Sequence, residues 1–180
     1  MFNKQIYSLF LCALYFSSHP SDHLDVDGFA LSKILERTQS FSAEFSQSVV
    51  DSRGVVLENI KGKTSFKKPN LFKWNVQEPY EQSTVLKEEY VYIFEPELAQ
   101  LTIQKLDDQG GPNLALLLSS GGTVLLDDFI IREEESYDRE RRFVLTPKTD
   151  DVLFTSVVMN FSDSELKETS ILDHQGHETR

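Results

Sequence analysis

The chain has 180 residues, 39% hydrophobic and 26% charged, so one globular domain with a proper core is the default. Its 29 acidic side chains against 18 basic ones leave a formal charge of -11. That balance argues against DNA or RNA as partner, since no basic stripe stands ready to displace phosphate counterions, and against adhesion to an anionic membrane surface.

Residues 1–21 read as a removable export signal. Lys4 supplies a positive start, and IYSLFLCALYF (residues 6–16) is an apolar run too short to span a bilayer. Ser17, Ser18 and Ser21 offer small residues for cleavage. Cys12 lies inside this segment, and bulky Leu11 before it argues against a lipid-modified cysteine. The mature chain, 22–180, would then be a cysteine-free, soluble, exported single domain.

A helix is expected over 29–40, with Leu31, Ile34 and Leu35 on one face and Lys33, Glu36 and Arg37 on the other. The period then changes. Phe41, Ala43, Phe45 and Gln47 alternate with polar residues, giving a strand with a buried aromatic face. Asp51-Ser52-Arg53-Gly54 is a turn signal, and Ile60, Gly62, Thr64 and Phe66 then alternate with polar residues.

Next comes KKPNLFKWNVQEP (residues 67–79). Pro69 pushes Lys68 into an extended conformation, and Phe72, Trp74 and Val76 then alternate with Lys73 and Asn75. Strands are expected at 84–86, 90–94 and around Leu101 and Ile103, with Glu95-Pro96-Glu97 as a turn. LALLL (residues 114–118) follows Pro112 and precedes Gly121-Gly122, which fits a brief, covered helix. Strands follow at 129–131, 143–145, 154–161 and 166–172, and another begins at Arg180. Short strands spaced by turns imply an antiparallel, meandering sheet.

Catalytic signals are weak. There is no G-x-S-x-G elbow, and Gly62-Lys63-Thr64 is a chance likeness to a phosphate loop, because its first glycine is replaced by Leu57. Asp173, His174, His177 and Glu178 fit an exposed hairpin better than a metal site. Asp107, Asp108, Asp127, Asp128 and Glu133, Glu134 and Glu135 read as solvated carboxylates. The apolar set is more informative. Phe66, Phe72, Trp74, Val85, Val91, Ile93, Leu101 and Ile103 are expected to line one sheet face, under the first helix and LALLL. That surface is either an ordinary core or a site under a movable cover.

Four motifs in order make the chain resemble the periplasmic outer-membrane lipoprotein carrier family, LolA. They are SFSAEFSQ (40–47), GKTSFKKPNLFKW (62–74), YIFEPELAQ (92–100) and FVLTPK (143–148). The resemblance implies a mainly β fold with helices, an incomplete antiparallel β-barrel covered by helices with an apolar cavity between. It implies a monomeric, non-enzymatic periplasmic carrier without cofactor. Such a carrier takes acylated lipoproteins from an inner-membrane lipoprotein-releasing ABC transporter and delivers them to an outer-membrane receptor. By matching positions, Phe72 is the transporter-docking and transfer residue. Trp74 and its apolar neighbours line the cavity, and Leu114, Leu116, Leu117 and Leu118 belong to the lid. Lys68 is the lid latch, where the family has arginine. Two more departures stand out. Lys87-Glu88 replaces an Asp-Gly turn, and the family's C-terminal strand and closing region are not found after HETR. The alternatives are a carrier or receptor for another lipid, or a hydrolase using the acidic clusters.

Overall fold

The computed structural model describes residues 26–69, 71–105, 122–135, 137–150 and 152–180; the expected export signal and the 114–118 helix lie outside these residues. Helix α1 spans Val26–Arg37, three residues earlier than its apolar pattern predicts at both ends. Its start is set by a tertiary contact, because the Asp27 Oδ2 accepts the Glu133 backbone N–H at 3.0 Å. At its end, Thr38 Oγ1 donates to the Ile34 carbonyl and Gln39 Nε2 to that of Glu36, satisfying groups the helix leaves open. Leu31, Ile34 and Leu35 are buried on one face, as their spacing requires.

Eleven strands follow: β1 (Ser40–Val50), β2 (Val56–Lys67), β3 (Leu71–Glu78), β4 (Gln82–Lys87), β5 (Tyr90–Glu95), β6 (Gln100–Lys105), β7 (Phe129–Glu134), β8 (Glu140–Pro147), β9 (Phe154–Ser162), β10 (Glu165–Asp173) and β11 (Glu178–Thr179). They form one open antiparallel sheet in the order β6-β5-β4-β3-β2-β1-β11-β10-β9-β8-β7. The expected meander is therefore present twice, once in each half of the chain. Short β11 joins the halves, pairing with β1 at Val49 and Val50 and with β10 at Ile171 and Leu172. Among the described residues no helix is long and apolar enough to cross a membrane.

Two local features differ from expectation. A second helix, α2 (Gly122–Asp128), begins where Gly121-Gly122 reads as a helix end. Its Leu125 is fully buried. Between β4 and β5, Lys87 pairs with Tyr90, leaving Glu88 and Glu89 as a two-residue turn. Glu88 sits at φ 57, so the tight hairpin survives without the glycine that such turns favour.

Each strand has an inner and an outer face, and directly paired residues share a face. The inner face of β7–β9 is the main core. Phe129, Phe143, Leu145 and Met159 there are fully buried against Leu31 and Leu35 of α1 and Leu125 of α2. Truncating Leu31 to alanine should cost about 2–5 kcal/mol. The first helix was expected over the aromatic face of β2–β5, together with the 114–118 segment, which lies outside the described residues. Helix α1 packs on β7 and α2 instead. Phe41 links the two halves, packing against the main core while its ring meets the Phe66 ring edge-on at 4.8 Å.

Candidate functional site

The register assembles an aromatic inner face on β1–β5 residue by residue. One row across the strands reads Phe41, Phe66, Phe72, Leu86, Val91, and the next Ala43, Thr64, Trp74, Thr84, Ile93. In the third row Phe45 stands opposite Gly62, which stands opposite Val76. A side chain at Gly62 would fall on the carbonyl oxygen of Asn75 and against the Phe45 ring. Its absence lets Phe45 lean across β2 and stack on Trp74, with ring centroids 3.6 Å apart and planes at 23°. Phe72 continues the stack at 6.2 Å and 16°. Offset aromatic stacks of this kind are worth about 0.5–1.5 kcal/mol each beyond the area they bury.

This stack borders a pocket of about 1100 Å³ between β1 and β10. Only the Ser48–Val50 end of β1 is bridged by the β11 segment, where Ser48 and Arg180 exchange backbone hydrogen bonds of 3.0 and 2.9 Å. Among the described residues no strand pairs with the rest of that edge of β1. Phe41, Phe45, Phe66, Phe72 and Trp74 line one wall, and Phe161, Leu166 and Ile171 line the other. Leu35 and Thr38 reach it from the carboxy-terminal end of α1. A pocket with aromatic and aliphatic walls that also carries polar and charged residues, among them Ser42, Glu44, Glu165 and Lys167, suits a greasy ligand with a polar head.

Lys68 holds that helix end. Its Nζ donates to the Leu35 carbonyl oxygen at 2.8 Å, and its backbone N–H donates to the Gln39 carbonyl at 2.9 Å. A cation at a helix C-terminus is favourable with the helix dipole as well as with the open carbonyl.

The predicted cavity set is divided by the register. Phe66, Phe72, Trp74, Val91 and Ile93 share the inner face. Val85, Leu101 and Ile103 do not: Val85 pairs with Lys73 and Tyr92, Ile103 with Tyr92 and Leu101 with Phe94, all on the outer face. The expectation of one lining is corrected because Leu86, not Val85, is opposite Phe72, and Thr102 is opposite Ile93. Val91 and Ile93 lie on β5, further across the inner face, and are not part of the pocket lining. Leu114, Leu116, Leu117 and Leu118 lie outside the described residues. Phe41 and Phe45 were visible as one alternating apolar face, but their place in this site depends on Gly62, which brings Phe45 to Trp74.

Glu133, Glu134, Asp173, His174 and His177 make contacts within the fold, and Asp107 and Asp108 lie outside the described residues. Both Glu133 oxygens accept from Arg141 at 2.6 Å, and this carboxylate raises the pKa of the guanidinium. Glu134 pairs with Arg142 at 2.7 Å. Asp173 organises the turn before β11: burial pushes its carboxyl up, but donors from His177 and Gln175 outweigh this and hold it below the ordinary value. His177 Nδ1 lies 3.0 Å from the same carboxylate, and His174 Nε2 lies 2.8 Å from the Val152 carbonyl oxygen.

A LolA superfamily protein from Nitrosomonas europaea superposes with a TM-score of 0.41 at 17% identity, covering 82% of this chain and 74% of that one. An outer-membrane lipoprotein carrier protein of Pseudomonas aeruginosa is 34% identical over 179 residues, covering 98% of this chain and 85% of that protein. Its namesake in Chromohalobacter salexigens is 33% identical over 149 residues, covering 83% of this chain and 70% of that protein. The family model described as "Outer membrane lipoprotein carrier protein LolA" matches residues 36–180. The chain belongs to the LolA family.

Proposed function

We propose that this protein is a periplasmic carrier that shields the acyl chains of a lipoprotein between two membranes. The observation that carries the reading is membership of a family whose relatives are named outer-membrane lipoprotein carriers. The aromatic inner face beside an apolar pocket supports it physically. Each CH₂ removed from water is worth about 0.8 kcal/mol, so acyl chains need such a shelter to leave a bilayer. In this reading the open sheet is an incomplete barrel, and Lys68 holds the end of α1 that reaches the pocket. The pocket and the inner face around Trp74 take the chains, and Phe72 is the entry and transfer residue. Cargo comes from an inner-membrane lipoprotein-releasing ABC transporter and passes to an outer-membrane receptor. The work is transfer, with no bond made or broken, and it needs no cofactor.

The chain's single tryptophan makes a direct test, because Trp74 borders the pocket. Titrating the purified protein with a triacylated lipopeptide should move Trp74 emission to shorter wavelength with saturation. The same peptide without its acyl chains should do nothing. An equal response to both peptides, or to neither, contradicts the reading.

A further inference from the structure

The outer face of β2–β6 has a composition unlike the rest of this acidic chain. Across these five strands the register gives three rows. The first is Lys67, Leu71, Lys87, Tyr90, Lys105; the second is Ser65, Lys73, Val85, Tyr92, Ile103; the third is Lys63, Asn75, Ser83, Phe94, Leu101. No carboxylate stands among them. At strand spacings the array covers roughly 20 by 14 Å. Its apolar members face outward, with Leu101 56%, Ile103 55% and Phe94 43% exposed.

Three of the five lysines are available to a partner. Lys63 and Lys105 neutralise bordering acids, at 3.5 Å from Glu44 and 3.0 Å from Glu89. Among the described residues, Lys67, Lys73 and Lys87 make neither an ion pair nor a side-chain hydrogen bond. Lysines on an edge strand often serve to prevent strand pairing, but β2 and β3 lie inside the sheet, so that role does not account for Lys67 and Lys73.

We infer that this outer face docks on an anionic lipid bilayer. Lysine ammonium groups near such a surface are attracted by about 1 kcal/mol each, and tyrosine and phenylalanine rings settle at headgroup level between them. A protein partner fits less well, because the centres of protein interfaces are depleted in lysine. The net charge of -11 argues against adhesion of the chain as a whole to an anionic membrane, and this lysine-bearing face is the exception. Fields are screened over about 8 Å at physiological salt, so the local sign decides. The inference stands on the outer face alone and does not rest on what the inner face carries.

Cosedimentation of the unloaded protein with vesicles tests it. Vesicles of phosphatidylcholine with phosphatidylglycerol should bind the protein, pure phosphatidylcholine vesicles should not, and 0.5 M salt should release it. The combined Lys67→Gln, Lys73→Gln and Lys87→Gln variant should bind about a hundredfold more weakly. A control with the same charge change elsewhere, Lys33→Gln, Arg139→Gln and Lys167→Gln, should bind like the original. Thermal unfolding of both variants checks that each is folded. Equal loss in the control, equal binding to both vesicle types, or no binding to the phosphatidylglycerol vesicles would each overturn the proposal. Lipopeptide titration followed by Trp74 emission is read separately, so failure here leaves the carrier reading standing.

Discussion

Lys68 reaches back 33 positions in sequence to donate a 2.8 Å hydrogen bond from its Nζ to the carbonyl oxygen of Leu35. That contact ties the corner between β2 and β3 to the last turn of α1, beside the pocket. It is one bond from a point charge, where a planar guanidinium would offer several donors.

Lys68→Ala should therefore lower unfolding stability by about 1–2 kcal/mol, the scale for a partly exposed charged hydrogen bond. Amide exchange at residues 34–38 should speed up more than exchange in β7–β9. Lys68→Arg should restore stability and slow release of bound lipopeptide. Identical release from the arginine variant would separate this bond from any part in cargo retention.

Gly62→Ala should destabilise by about 1–3 kcal/mol, since the added methyl meets the Asn75 backbone, which cannot step aside without disturbing β3. The same change should push Phe45 off Trp74 and alter tryptophan emission in the folded state. A stable variant with unchanged emission would mean that the glycine does not make room for the stack.

Phe72→Glu sets a charge on the inner face between Phe66 and Leu86. Because Phe72 is only half-buried, the fold should survive, with circular dichroism unchanged. Lipopeptide binding should fall at least tenfold, because an ionised carboxylate beside acyl chains is poorly solvated. Normal loading would remove Phe72 from the transfer role.

Acid should loosen the joint between the two halves of the sheet first. Asp51, Asp173 and Glu178 all titrate below their usual values and all lie at the β11 end. Asp51 is lowered chiefly by the Val55 N–H and then by Arg53. Glu178 is lowered chiefly by hydrogen bonds from Arg180. Asp173 is lowered by donors from His177 and Gln175 that outweigh its burial. A carboxylate with a lowered folded pKa contributes stability above its unfolded pKa near 4 and loses it as pH falls through the folded value. Protection of the Ser48 and Arg180 amides, relative to their intrinsic exchange at each pH, should thus fall below about pH 4, before protection in β8 and β9. Simultaneous loss of protection everywhere would show that the joint has no separate acid sensitivity.

How much was legible in the sequence varies with the physics of each element. Period-two alternation at 60–67 and 72–76 needs only the pleat, so those strands and their buried faces were readable. Face assignment beyond β3 was not. Val85, Leu101 and Ile103 alternate just as Leu86, Val91 and Ile93 do, and only the hairpin turns decide which set points inward. The extent of α1 was misread because Asp27 finds its partner in β7, far along the chain. Helix α2 was hidden by the glycine at its first position. The motif order of the family was visible. The bond from Lys68 to Leu35 was not, because its acceptor is a backbone carbonyl 33 residues away. The lysine array on the outer face was not, because whole-chain charge conceals how a sheet sorts its side chains.

The most direct test of the carrier account is release of labelled lipoprotein from inner-membrane vesicles containing the ATP-driven transporter. With ATP and the purified protein, the account predicts label in the supernatant as a soluble one-to-one complex. Label that stays with the vesicles, under conditions where a Pseudomonas aeruginosa outer-membrane lipoprotein carrier protein releases it, would contradict the account.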